Sequence, residues 1–418
     1  MTGSVTGFFA HQGLLTCDGV SLSSIAEATG TPTYVYSAAL LAERYCALDR
    51  PFAAVPHRMH YALKANSTLE IVRRIRHLGA SADANSGGEI EVALRAGFAP
   101  SAIVFTGVGK TTAELQRAVT LGLCAINAES FGEIDRIAAI AAASGTVARV
   151  ALRINPDVEA GSHPHISTGS KATKFGVSIP EAREMIGGLR GDARLRLVGL
   201  HVHIGSQMTT LEPVRRAAET VAGLAIALVA EGVPLEHIDL GGGLGIAYTP
   251  EQPVLSVEGY ASAILPAVER AGLPLLLEPG RWLVGPAGVL LARIVDLKPR
   301  VDGGWWVILD AGMTDLMRPA LYGAWHTIEP VAPRSGAPIT ADIVGPVCET
   351  ADTLGLGRSL PPVEVGDLVA IRDAGAYSAV MASNYNRRTI AAEVLVTDGE
   401  AHVVRRRQTV DDMLQWEV

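Results

Sequence analysis

Eight short apolar runs, separated by helix-like patterns, constrain the fold of this chain more than any other feature. They are Met59–Leu63, Ala80–Ala84, Ile103–Thr106, Ala125–Ala128, Val150–Ile154, Leu197–Ile204, His237–Leu240 and Leu275–Leu277. Each is rich in Val, Ile, Leu or Ala and is strand-sized, as expected of strands buried on both faces. Between most of them the apolar spacing becomes helical. Thr68–Leu78 sets Leu69, Val72, Ile75 and Leu78 on one face, Gly88–Ala96 and Thr112–Leu121 are similar, and Glu212–Glu231 is the longest. Eight βα units within about 250 residues predict an α/β fold built on a (β/α)8 TIM-like barrel. A doubly wound open sheet is the alternative, but it usually has fewer strands.

From about Gly285 the period changes. Val289–Val295, Trp305–Leu309, Leu368–Ile371 and Ala391–Val396 read as strands, punctuated by the hairpin signals Asp302-Gly303-Gly304, Gly366-Asp367 and Asp398-Gly399. The predicted organisation is a barrel over 31–284 and a mostly-β C-terminal domain over 285–418. Residues 1–30, with Asp18-Gly19 between apolar runs, are expected to add a hairpin to that β-rich domain. A chain of 418 residues is long enough for both cores.

Polar residues gather where the eight strands end. Lys64 follows the first, Asp83 and Ser86 the second, and Arg153 and Asn155 end the fifth. His203, Gly205 and Ser206 end the sixth, Gly241-Gly242-Gly243 follow the seventh, and Glu278-Pro279-Gly280-Arg281 follow the eighth. In a barrel these ends share the face on which active sites are built. Only five of the 35 basic residues are lysines: Lys64, Lys110, Lys171, Lys174 and Lys298. Arginine stays protonated and cannot form an imine, whereas lysine can, which singles out Lys64 in HYALKAN (60–66). A lysine snorkelling from a strand end is the structural alternative.

Gly241-Gly242-Gly243 with Gly245, and the Gly205-Ser206 pair of HVHIGS (201–206), form two small loops that could bring backbone N–H groups to a phosphate. Tight turns alone would also explain them. His201 and His203 share a strand face, but no cysteine or carboxylate lies at a metal-binding spacing nearby, so no metal site is expected. In EPGR (278–281), Glu278 needs a partner at a barrel mouth. Arg281 could supply a salt bridge, or the carboxylate could keep a cofactor's ring nitrogen protonated. A reactive lysine, phosphate loops and such a carboxylate are together what pyridoxal 5'-phosphate requires.

The net charge of −8 and pI near 5.8 argue against a nucleic-acid surface, and Arg405-Arg406-Arg407 reads as a solvated edge. The longest apolar stretch, near Val221–Ala230, is too short to span a bilayer, and no signal peptide is evident. Cys17, Cys46, Cys124 and Cys348 are widely spaced, which suits a reducing compartment. The expectation is a cytoplasmic protein without a nucleic-acid or membrane partner.

Matching segments run almost end to end: TPTYVY (31–36), HYALKAN, SGGE (86–89), RINPDV (153–158), HPHISTG (163–169), KFG (174–176), GLHVHIGSQ (199–207), DLGGGLGI (239–246), EPGR, DAGMTDLMRPALYGAWH (310–326), GPVCETAD (345–352), GAYSAVMASNYN (375–386) and AEVLV (392–396). By these the chain resembles the diaminopimelate decarboxylases, members of the alanine-racemase-like, fold-type III pyridoxal-phosphate enzymes. The lysine and EPGR motifs are shared across that superfamily. DAGMTDLMRPALYGAWH and GPVCETAD look specific to the decarboxylases.

The resemblance implies roles. Lys64 would carry the cofactor covalently, with Asp83 among the cofactor-binding residues, and His203 would stack on its ring. Ser206, Gly242, Gly243, the backbone of EPGR including Gly280 and Arg281, and the Tyr377 hydroxyl would bind its phosphate. Glu278 would pair with the ring nitrogen. Arg281, Arg318, Tyr322, Tyr377 and Glu349 would bind substrate groups, and Cys348 would return a proton after carbon dioxide leaves. Cys348 and Glu349 would reach into the partner's site across a homodimer. The residue types agree in part. Arg318 lies in a mostly apolar stretch, where either a dianionic substrate or a salt bridge to Asp315 or Glu329 would satisfy it. Cys348 could be an inert buried thiol, and Tyr377 a core tyrosine. Gly357 stands where the family commonly has an acidic residue, so 354–358 is expected to be looser. His163 and His165 are placed in a long loop that could act as a lid.

The expected reaction is decarboxylation of meso-2,6-diaminopimelate to L-lysine and carbon dioxide. Decarboxylation of lysine, ornithine or arginine is the nearest alternative, but those substrates lack a second carboxylate for the candidate arginines. A racemase would favour an arginine over Glu278 beside the ring nitrogen. A non-catalytic pyridoxal-phosphate binder would not need Arg318, Tyr322, Cys348 or Glu349.

Overall fold

The computed structural model describes residues 6–158, 174–249, 251–301 and 303–418. His163, His165, Lys171 and Asp302 lie outside them. The chain divides into two compact units. One comprises Tyr45–Ile246 and Pro253–Trp282; the other comprises the residues up to Arg44, Ala247–Gln252 and Leu283–Val418.

In the first unit, His57–Ala62, Ser81–Ala84, Ile103–Phe105, Ala125–Ala128, Ala148–Arg153, Leu195–His201, His237–Asp239 and Leu275–Leu277 form a closed parallel barrel in chain order. The eighth strand closes it on the first, with Leu275 opposite His57 and Leu277 opposite Met59. All eight predicted runs are strands. The sixth stops at His201, so His203 and Ser206 stand in the following loop, where Gln207 takes a left-handed φ of 61°. Between strands, helices such as Leu69–His77, which buries Ile71, Val72 and Ile75, cover the barrel. Thr111 and Glu114 form a reciprocal capping box at the start of Thr112–Leu121. Inside, Val104, Ala125, Ala151, Val198 and Leu276 pack as one cluster.

The second unit is mostly sheet. Thr353–Leu360, Ile339–Val344, Trp305–Leu309, Gly288–Pro299, Thr33–Ser37, Ala392–Thr397 and Glu400–Arg405 are neighbours in that order, and Leu368–Ile371 also pairs with Gly288–Pro299. Thr33–Ser37 lies in the 31–284 segment assigned above to the barrel, yet it pairs here with Gly288–Pro299 and Ala392–Thr397. Its five residues are all buried, as an inner strand of a covered sheet requires. Asp398-Gly399 turns a hairpin with both residues at positive φ, and so does Asp18-Gly19 in a separate three-stranded sheet. Gly366-Asp367 does not join paired strands: Thr353–Leu360 pairs with Ile339–Val344 instead. That pairing places 354–358 in a strand where a looser segment was expected, though its register shifts twice, and Gly357 at φ +61° donates its N–H to Asp342 Oδ1 at 2.6 Å. Among the described residues, no helix is long and apolar enough to cross a membrane.

Candidate active site

Lys64 sits in a 3-10 turn, Leu63–Ala65, directly after the first barrel strand. Its ammonium donates to Asp83 Oδ2 at 2.9 Å, and Asn85 Oδ1 is 3.4 Å away. Asp83 is fully buried at the end of the second strand. Burial and Glu278 push its carboxyl up from the ordinary value, and Lys64 opposes them. The lysine is partly exposed while its counter-ion is sealed.

Glu278 follows the eighth strand and is buried. His201 Nε2 lies 3.3 Å from its Oε2. Burial pushes the Glu278 carboxyl up, but His201, Lys64 and His203 outweigh it and hold it below the usual range. Asp239, also fully buried, is pushed well above the carboxylate range by burial and by Glu278. Two adjoining carboxylates in a dry interior cannot both be ionised at low cost, so the pair favours a single charge, and His201 draws it towards Glu278. The reading of His201 as lacking nearby carboxylates is thus corrected. Barrel closure brings Asp239 and Glu278 to it, with potential ligand atoms all within 4.8 Å. The three have the composition of a small cation site, and all are sealed from solvent.

The glycine loops are close-packed. At Gly242 a Cβ would collide with the Glu278 carbonyl, and at Gly243 with that of Gly205. Gly242 N–H donates to His203 Nδ1 at 3.2 Å, so this nitrogen carries a lone pair and His203 is neutral. Burial, then Lys64 and Arg153, holds His203 well below its ordinary value. Arg281, the candidate partner weighed above for Glu278, reaches the loop after the sixth strand. It donates from NH2 to Ser206 Oγ at 3.0 Å. Gly280 is buried beside Pro279, whose carbonyl accepts Ala62 N–H at 3.1 Å.

The remaining candidates belong to the second unit. Arg318 and Tyr322 bound a five-residue helix, with Arg318 buried. Its expected partners are engaged elsewhere: Asp315 accepts Gly312 N–H at 3.0 Å, and Glu329 pairs with Arg372. Arg318 donates to His326 Nε2 at 2.8 Å. Cys348 and Glu349 are exposed, so Cys348 is not the buried thiol weighed above. Cys348 N–H donates to Asn386 Oδ1 at 3.0 Å, and Tyr385 hydroxyl donates to Glu349 at 3.1 Å. Tyr377 has φ 55°. A left-handed aromatic residue costs about 1–3 kcal/mol and persists where its surroundings fix it, often at functional sites.

Sequence reasoning passed over Asp239, Asn85, His326 and Tyr385. Asp239 alone left a signal, since a carboxylate ending a buried strand demands a partner.

Pyridoxal phosphate needs an amine, a carboxylate for its ring nitrogen and a phosphate cradle, and the barrel unit offers all three. Among the described residues, Glu278 Oε1 is buried without a hydrogen-bond partner, as an atom reserved for a ring N–H would be. The residues fit the group. Residues 39–285 match the family model described as "Pyridoxal-dependent decarboxylase, pyridoxal binding domain". Fold and site thus define a pyridoxal-dependent decarboxylase. Diaminopimelate decarboxylase of Neisseria meningitidis serogroup A is 47% identical over 400 residues, covering 96% of this chain and 98% of that protein. The crystal structure of diaminopimelate decarboxylase from Helicobacter pylori complexed with L-lysine matches with TM-score 0.91 and 39% identity, over 94% of this chain and 98% of that one. That from M. jannaschii in co-complex with L-lysine matches with TM-score 0.94 and 35% identity, over 100% and 99%. The chain belongs to the diaminopimelate decarboxylase family.

Proposed function

We propose that this chain removes one carboxylate of meso-2,6-diaminopimelate as carbon dioxide and yields L-lysine. The observation that carries the reading is the nearly full-length similarity to enzymes of that name.

Pyridoxal phosphate, when bound, supplies the electron-withdrawing ring that accepts the pair left by the departing carboxylate. Lys64 Nζ is the amine that holds it. Asp83 and Asn85 keep that amine in place. Glu278 Oε1 keeps a proton on the ring nitrogen, and its ionised state, supported by His201, suits that task. A charge held ready in a dry site stabilises developing negative charge without reorganisation. The neutral His203 ring would be the residue that holds the cofactor ring by stacking. Ser206, Arg281, the backbone of Gly242, Gly243 and Gly280, and Tyr377 hydroxyl take the phosphate. Arg281, Arg318, Tyr322 and Tyr377 bind carboxylate and polar groups of the substrate, and Glu349 binds an ammonium. A planar arginine fork suits a carboxylate better than a lysine does. Cys348 Sγ returns the proton to the α-carbon. The assembly proposed is a homodimer in which Cys348 and Glu349 serve the partner's site. The location proposed with that role is the cytoplasm.

The test is carbon dioxide release from meso-2,6-diaminopimelate, lysine, ornithine and arginine, with Lys64→Ala alongside. Release from the first alone is expected, together with loss of both turnover and visible cofactor absorbance in Lys64→Ala. Preferential release from a monocarboxylate substrate, or full activity in Lys64→Ala, would falsify the reading.

A further inference from the structure

Arg318 is buried and held from two sides within its own unit. Its guanidinium carbon lies 4.6 Å from the Tyr248 ring centroid, and its NH1 is 2.8 Å from His326 Nε2. His326 is completely buried and meets Tyr248 edge-on, with ring centroids 5.3 Å apart. Its other nitrogen, Nδ1, is 2.7 Å from the Arg372 carbonyl. These two contacts fix the tautomer. A guanidinium only donates, so Nε2 must present a lone pair; a carbonyl only accepts, so Nδ1 must carry the hydrogen. His326 is therefore a neutral acceptor for Arg318. A neutral acceptor orients the guanidinium without cancelling its charge, as a carboxylate in the same place would.

We propose that His326 is the positioning residue for Arg318, holding its guanidinium in one orientation for a substrate carboxylate. The proposal rests on the reading of Arg318 as a carboxylate receptor. Tyr248 forms the second wall of the same box: its ring supports the guanidinium face while His326 fixes the edge. Ring and imidazole together set the plane of the guanidinium, and orientation is what a bidentate carboxylate contact needs.

Two amide substitutions separate this role from a structural one. His326→Asn places a donor near the Nδ1 position, serving the Arg372 carbonyl and offering Arg318 no acceptor. His326→Gln places an amide oxygen near Nε2 and leaves the Arg372 carbonyl unserved. With meso-2,6-diaminopimelate as substrate, His326→Asn is expected to raise KM ~10-fold or more with kcat within ~3-fold of the parent. His326→Gln should restore KM to within ~3-fold of the parent. A merely structural role predicts the opposite ranking. Cofactor absorbance, measured on each variant, reports an intact barrel. Should His326→Asn fail to fold, His326→Phe keeps a ring against Tyr248 and carries the same expected rise in KM. A parental KM in the variant without an acceptor, or equal KM in the Asn and Gln variants, overturns the proposal. Arg318→Ala, run in parallel, distinguishes the two levels. An unchanged KM there overturns the reading of Arg318 itself, and a raised KM there beside a parental His326→Asn overturns only the role of His326.

Discussion

His201 Nε2 and Glu278 Oε2 lie 3.3 Å apart, both sealed from solvent, and Asp239 completes the group from the neighbouring strand end. Three polar side chains in a dry interior are costly unless each satisfies another. Here the arrangement leaves three atoms, Glu278 Oε1, Asp239 Oδ2 and His201 Nδ1, buried and without a hydrogen-bond partner among the described residues.

Glu278→Gln keeps the shape of the side chain and removes the charge. The variant is expected to bind pyridoxal phosphate, seen in its visible absorbance, and to lose ~10²-fold or more in kcat, as removal of a preorganised electrostatic group does. An unchanged kcat would mean that the ring nitrogen draws no support from this carboxylate.

Cys348 is exposed, and its backbone, not its thiol, is tied to Asn386. Cys348→Ala should therefore fold and bind cofactor normally while kcat drops ~10²–10⁴-fold, the usual cost of deleting a general acid. Steady-state rates at saturating substrate check this; a parental rate would place the proton donor elsewhere.

Glu89 lies close to Lys64 and Asp83, and its Oε2 accepts Asn85 N–H at 2.7 Å. Burial pushes its carboxyl up to about 7 from 4.5. A carboxyl whose folded pKa is raised binds its proton more tightly in the native state. It therefore adds stability below pH 4.5 that is lost as pH rises through about 7. Denaturant midpoints of the parent and Glu89→Gln, compared at pH 5 and pH 8, should show the parent losing roughly 2–3 kcal/mol more over that span. Parallel pH curves would show that Glu89 titrates normally.

Much of this was legible in the chain itself, for reasons that particular residues make plain. Val150, Ile126 and Leu276 lie in apolar runs too short for helices, so the barrel strands announced themselves. Thr353–Leu360 did not, because Gly355 and Gly357 interrupt its pattern and a strand with weak propensity is read only from its neighbour. Thr33–Ser37 carried a strand pattern but no mark of which sheet it joins, since both of its partners, near Leu290 and Val394, are more than two hundred residues away. At the site, Lys64 and Glu278 were found from residue type and from their place after a strand. Asp239 and His326 were not, because their importance is relational. Asp239 acquires its raised pKa from burial in the closed barrel and then from Glu278 beside it, and His326 its fixed tautomer only between Arg318 and the Arg372 carbonyl.

The short excursion Ala247–Gln252, interposed within the barrel's stretch of chain yet grouped with the β-rich unit, has a practical consequence for dissection. A fragment excised as one continuous piece from 45 to 282 carries Tyr248 with it and strips Arg318 and His326 of an aromatic neighbour. No single pair of cuts separates this molecule into two self-sufficient parts, so gene-fragment complementation must treat those few residues as shared property.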